Sequence, residues 1–296
     1  SEAIVGADVL RWAVVDTPPP LLPGGTVRER GSFIHDISHL FDEELRDQLY
    51  PEVRDALQLG GSSALYSMPI NVHRLNTFYY NVERLQAFEQ KHGKSLRSIE
   101  TLCPVDRSTD LDAVIAIGTE NEFTMTLFTF ENVLPAVAGA GFYDDLFRGN
   151  LGTSPAEVAD WSGKVRRALE CVQYLSRSFG PPMTWYEAVR AVANEEDEAV
   201  FTVMGDWGNG QIVEPLRDGT VEAVPFPATE GVFVFTSDSF PLPVEFEHRA
   251  EVEELLKTIA SGEAQYEFSK TKGSIPVRND VDLRELAVPP GGRWAG

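Results

Sequence analysis

Long apolar runs are missing from this 296-residue chain, although 43% of its residues are hydrophobic. No stretch approaches the ~18 consecutive apolar residues that read as a membrane-spanning helix. Basic charge is also scarce: 25 Lys and Arg stand against 46 Asp and Glu, a formal net charge of −21. Such a chain repels nucleic acid and anionic lipid at long range, which excludes those partner classes. The ordinary role of that acidity is solubility, with adaptation to salt, in preference to an acidic docking surface. Cysteine is limited to Cys103 and Cys171. They have no CxxC or metal-type spacing, so they read either as buried thiols or as one disulfide, and they say nothing of the compartment. Ser1-Glu2-Ala3-Ile4-Val5 lacks the basic start and apolar core of a signal peptide, which predicts a processed or trimmed chain. There is no phosphate loop, no GxSxG elbow and no dinucleotide fingerprint.

What is present is an alternation of strand and helix signals long enough for two lobes. Asp8–Val15 reads as a short buried strand, followed by a Pro- and Gly-rich loop from Pro18 to Gly25. Ile37, Leu40, Phe41, Leu45 and Leu49 recur at helical spacing, and Tyr50-Pro51 breaks the pattern before Val53, Ala56 and Leu57 resume it. Residues Ala64 to Asn81 are extended and rich in β-branched and aromatic types, with Pro69 restricting them to an edge or crossing strand. A helix over Val82–His92 and a buried strand over Asp112–Gly118 follow, a sequence of elements that fits a parallel α/β lobe. Further helices are predicted over Lys164–Phe179, from Thr184 with its Thr-x-x-Glu capping box, and over Arg249–Ala260. Strands are predicted over Ala199–Met204 and Gly231–Thr236.

Three segments near the end carry the best candidates for chemistry: Met204-Gly205-Asp206-Trp207, Thr236-Ser237-Asp238-Ser239-Phe240 and Lys272-Gly273-Ser274-Ile275-Pro276-Val277-Arg278. Sugars present C–H faces and hydroxyl rims, so their sites combine flat aromatic platforms with planar polar or charged groups. Trp207 follows a strand end, where ligands settle in open α/β sheets. Trp185 opens a capped helix. Asp238, between two serines, is either a hydroxyl acceptor or a turn former. Alone, Lys272 would be a solvated charge and each Trp a partly buried core ring. Enzymatic readings are weaker still. The run Glu195-Glu196-Asp197-Glu198 does not imply two carboxyls held across one glycosidic bond, and His35 and His39 lack further metal ligands.

These segments, in their order and approximate spacing, resemble the ligand-binding lobes of bacterial extracellular solute-binding proteins of family 1, most closely the glucose/mannose-type branch. His73-Arg74-Leu75-Asn76 resembles that family's crossing segment. The resemblance implies an α/β, two-lobed periplasmic-binding-protein-like fold with a hinge and interlobe cleft. It places residues 1–73 plus 230–268 in one lobe and 77–226 plus 269–296 in the other, with crossings near 66–81 and 225–231. It implies Trp185, Trp207, Asp238, Lys272, Asn76, His73 and Arg11 as ligand-binding residues, Arg11 standing where the family has a sugar-contacting Gln. The family's Trp-Trp first strand and the helices after its Lys-Gly-Ser-Ile-Pro motif are not found, so the chain resembles a member shortened at both ends. The implied function is capture of a mono- or small oligosaccharide and its delivery to an ABC-importer permease, by a monomeric, non-enzymatic protein needing no cofactor or metal. The implied location is periplasmic or extracellular, with a lipid anchor on the precursor. The alternative is a shortened sensor or protein-interaction module without sugar uptake.

Overall fold

The computed structural model describes residues 34–58, 63–120, 123–243 and 248–283. The expected strand Asp8–Val15 and the candidate Arg11 lie outside the described residues. Nine strands run among the described residues: β1 Ser67–Pro69, β2 Asn71–Arg74, β3 Thr77–Asn81, β4 Val114–Ile115, β5 Ala199–Met204, β6 Val221–Pro225, β7 Phe235–Thr236, β8 Ser239–Pro241 and β9 Ile275–Pro276. The chain divides into two compact units, described residues 34–73 with 235–283 in the first and 74–234 in the second.

In the first unit, β7, β2 and β9 form one small sheet and β1 pairs antiparallel with β8 in another. The helical spacing read after Ile34 forms a short turn, Ser38–Leu40, and the helices Glu43–Gln48 and Pro51–Ala56. Asp42 caps the first helix by accepting a bond from the Leu45 N–H at 2.8 Å. Pro51 begins the second, where its missing N–H costs nothing. Ile37, Phe41, Leu45, Leu49 and Val53 bury one face against Leu65, Met68, Val72, Leu242, Leu256 and Val277. The helices Arg249–Ala260 and Gly262–Lys272 complete this unit. Residues 269–283, expected in the other lobe, belong here. The cause is visible in the pairing of β9 with β2 and in buried Gln265, whose side chain accepts from the Val277 N–H at 3.1 Å.

The second unit is built on a four-stranded sheet in the order β4-β5-β3-β6. Its centre is antiparallel: β3 runs against β5 and β6, and β4 alone is parallel to β5. The expected parallel lobe is thus a mixed sheet, because β3 is supplied by the crossing segment and enters in the opposite sense. Every residue of β3 is buried. Phe78 packs its ring 4.7 Å from Phe201 and 6.0 Å from Phe226, while Tyr79 points to the other face, as strand alternation requires. The expected strand Asp112–Gly118 is reduced to Val114–Ile115, and Gly231–Thr236 to Phe235–Thr236.

Helices flank this sheet. Asn81 ends β3 and caps Val82–His92 by accepting from the Arg84 N–H, while its amide donates to Val192 O at 3.1 Å. The long helix begins earlier than expected, at Pro155, because Ser154 and Glu157 form a capping box; it ends at Ser176. Cys171 on that helix is disulfide-bonded to Cys103, a separation of 68 residues. Among the described residues, no helix is long and apolar enough to cross a membrane.

Candidate functional site

In the first unit, three polar side chains converge. Asp238 lies between β7 and β8. Its Oδ2 accepts from Asn71 Nδ2 at 2.9 Å and from the Lys272 ammonium, and its own N–H donates to Asn71 Oδ1 at 2.9 Å. Asn71 is fully buried at the head of β2, and the Ile70 N–H donates to Asp238 O at 3.0 Å. Lys272 ends the helix Gly262–Lys272, just before Gly273 turns the chain at φ +74°, and lies 5.6 Å over the Phe268 ring.

Burial opposes ionisation of Asp238, but the bonds from Lys272 and Asn71, with the charges of Lys272 and His73, hold it below the usual carboxylate range. The group is therefore a fixed, half-exposed carboxylate at neutral pH. Oδ2 is engaged, and among the described residues no bond to Oδ1 is formed. A carboxylate oxygen with no such bond can accept a hydroxyl in a charge-assisted bond.

In the second unit, the strand β5 ends at Met204 and the chain turns through Gly205 into the 3-10 segment Asp206–Gln211. Gly205 makes room for the indole: a Cβ there would lie 1.9 Å from Cζ3 of Trp207, so any side chain at this position would push the ring aside. The half-buried indole folds back over Gly205 and meets Phe128 edge-on, ring centroids 5.8 Å apart. Asp206 is buried and accepts from the Arg74 N–H at 2.9 Å. Tyr79 Oη lies 3.1 Å from Gly205 O and 2.9 Å from Asn209 Oδ1; burial and the Asp206 charge push its pKa well above the ordinary value. The turn under Trp207 is thus pinned from below.

Trp185 is the first residue of the helix Trp185–Ala193. Thr184 accepts from the Glu187 N–H, and the Glu187 carboxylate accepts from the Thr184 N–H at 2.8 Å, as the sequence pattern requires. Gly118 permits this helix start to approach, since a Cβ on it would lie 2.6 Å from the Trp185 backbone. The half-buried Trp185 ring meets Tyr186 edge-on at 5.7 Å.

The sequence candidates therefore divide. Asp238, Lys272 and His73 share the first unit, while Trp185, Trp207 and Asn76 belong to the second. His73 is buried and is one of the groups whose electrostatics bear on Asp238. Asn76 is corrected: it is fully buried and bonded internally at both its donor and acceptor ends, so it offers nothing to a ligand. Asn71 was missed. Its signal was strand alternation, since 71 and 73 share a face of an extended segment.

A family model described as bacterial extracellular solute-binding protein matches residues 12–289. The chain belongs to that family. An uncharacterized ABC transporter extracellular-binding protein of Pyrococcus horikoshii is 32% identical over 252 residues, covering 83% of this chain and 54% of the relative. The xylose/arabinose-binding protein XacG of Haloferax volcanii is 26% identical over 237 residues, covering 74% of this chain and 47% of its own. The chain spans about half the length of these curated relatives. Among solved structures, a Streptococcus pneumoniae solute-binding protein in complex with the blood group A-trisaccharide superposes with a TM-score of 0.60 at 16% identity. That match covers 86% of this chain and 62% of the other, and it shows the shared two-lobed α/β fold. The family is extracellular by description, and the Cys103–Cys171 disulfide accords with an oxidising compartment.

Proposed function

We propose that this chain forms the carbohydrate-recognising part of an extracytoplasmic solute-binding protein that hands a mono- or small oligosaccharide to an ABC importer. The observation that carries the reading is the Asp238 carboxylate, fixed through one oxygen by Asn71 and Lys272 while the other is left to accept a hydroxyl. Trp207 and Trp185, each held by its own turn or cap, supply aromatic faces of the kind that pack against sugar C–H groups. Asp238 and Lys272 act as polar ligands, Trp207 and Trp185 as platforms, and His73 supports Asp238 from the buried side. The names of two relatives support the ligand class, one binding xylose and arabinose and one solved with a trisaccharide. The protein is a binder and performs no chemistry on the sugar.

A panel of pentoses, hexoses and short oligosaccharides, screened by titration calorimetry and thermal melting, tests this directly. A binder gains RT ln(1 + [L]/Kd), about 2.7 kcal/mol at a hundredfold excess over Kd. Heat and a melting shift with at least one saccharide, both lost in Asp238→Ala, are expected. Absence of both across the panel would favour the sensor or interaction module instead.

A further inference from the structure

The chain leaves the first unit between His73 and Arg74 and returns to it between Val234 and Phe235. Just inside the second unit, the outgoing and returning segments meet on one buried side chain. Asn76 Nδ2 donates to Thr229 Oγ1 at 2.9 Å and to Val232 O at 3.0 Å. Its Oδ1 accepts from the Val234 N–H at 3.0 Å and from Arg74 Nε at 3.3 Å. An amide side chain has two donor hydrogens and two lone pairs, and all four are used. The backbone adds two further rungs, Leu75 N to Val234 O at 2.7 Å and Phe226 N to Asn76 O at 3.0 Å. Arg74 Nη2 also donates to Val232 O at 3.0 Å, and its guanidinium lies 5.2 Å over the Phe233 ring.

The returning segment carries a second sign. Ala228 has φ +64° and is the one non-glycine residue at positive φ among the described residues. It sits in a turn closed by the Thr229 N–H on Phe226 O at 2.9 Å, with the Thr229 hydroxyl on the same oxygen at 2.6 Å. Backbone held in that region by a residue with a Cβ persists where its surroundings over-determine it. Here the surroundings are Thr229, fully buried, and the Asn76 amide that grips it.

We propose that Asn76 is a positioning residue that welds the outgoing residues 74–76 and the returning residues 226–234 into one rigid strap. The strap also reaches the ligand machinery, because the Arg74 N–H holds Asp206 at the start of the turn that carries Trp207. Ligand affinity depends on Asn76 without contact, a consequence that rests on the saccharide-binding reading above.

The test uses Asn76→Ala and Thr229→Val, singly and together, on the full chain. Native-state hydrogen exchange is followed at the amides of Leu75, Thr229, Val232 and Val234, with Phe78 and Val203 in the central sheet as references. A broken strap accelerates exchange at the first four by about tenfold or more in each single variant, with the references unchanged. The double variant adds little to either single one. Saccharide affinity falls in both, even though Thr229 is too buried to touch a sugar. An affinity loss in Asn76→Ala alone would make Asn76 a direct ligand contact and overturn the proposal. Equal acceleration at Phe78 and Val203 would overturn it too, by making Asn76 an ordinary core residue. If the parent protein binds no saccharide, the functional reading fails while the exchange measurements still decide the strap.

Discussion

Opening the Cys103–Cys171 bond is the perturbation whose size the structure sets most directly. The bridge closes a loop of 68 residues and ties the segment after Ile99–Leu102 to the C-terminal part of the helix Pro155–Ser176. The chain-entropy relation for a loop of that length gives about 4 kcal/mol of stabilisation through the unfolded state. Both cysteines are buried, so two thiols or two alanines would keep most of the local packing and the lost term is mainly the cross-link itself. Urea unfolding of the oxidised protein, the reduced protein and Cys103→Ala/Cys171→Ala provides the assay. The reduced and doubly substituted forms should lose about 3–4 kcal/mol, with a larger m-value because the uncrosslinked chain exposes more surface on unfolding. A loss under about 1 kcal/mol, with m unchanged, would refute the loop-entropy argument.

The remaining predictions address the site and its supports. Trp207→Ala should weaken saccharide binding by about 1–3 kcal/mol with the fold retained; unfolding with affinity unchanged would make Trp207 a core ring. Gly205→Ala should weaken binding in the same direction with Trp207 still present, because the added methyl displaces the indole; an unshifted tryptophan emission and unchanged affinity would contradict that. Arg84 donates to the carbonyls of Ala191, Val192, Asn194 and Ala199; Val192 O keeps the Asn81 amide and Asn194 is exposed, so Arg84→Met should cost about 1–3 kcal/mol, read by denaturant unfolding, by taking the donor from the carbonyls of buried Ala191 and Ala199. The pKa of Asp238 is lowered on folding, so its stabilising contribution is complete above the ordinary carboxylate value of 3.8 and disappears as pH falls through the depressed folded value. NMR titration should find its midpoint below 3.8, and Lys272→Met should move that midpoint upward; no movement would mean the ion pair does not set the shift.

Elements with a local cause were legible in the sequence. Ala199–Met204, Val82–His92, Arg249–Ala260 and the start at Trp185 all carry their own caps or periodicity, and the structure places them where those signals do. Non-local pairing was not legible. Nothing within Thr77–Asn81 states that it runs antiparallel between β5 and β6, and nothing within Ile275–Pro276 states that it returns to β2. Asn76 shows the same limit for side chains. An Asn on a crossing strand looks alike from sequence whether its amide faces a ligand or is consumed by Thr229, Val232 and Val234, which lie 153 to 158 residues further along the chain. Asp238 and Lys272 were identified, but Asn71, which grips Asp238 with both ends of its amide, was not.

The fit of Trp207 into the space left by Gly205 has a thermodynamic consequence. An aromatic platform that must be ordered when its ligand arrives forfeits about 0.5–1.5 kcal/mol of rotamer freedom at that moment. This indole has already surrendered that freedom during folding, wedged between a residue with no side chain and the edge of Phe128. A sugar face stacked on it would meet a surface already set, with less of the contact energy offset by ordering the host.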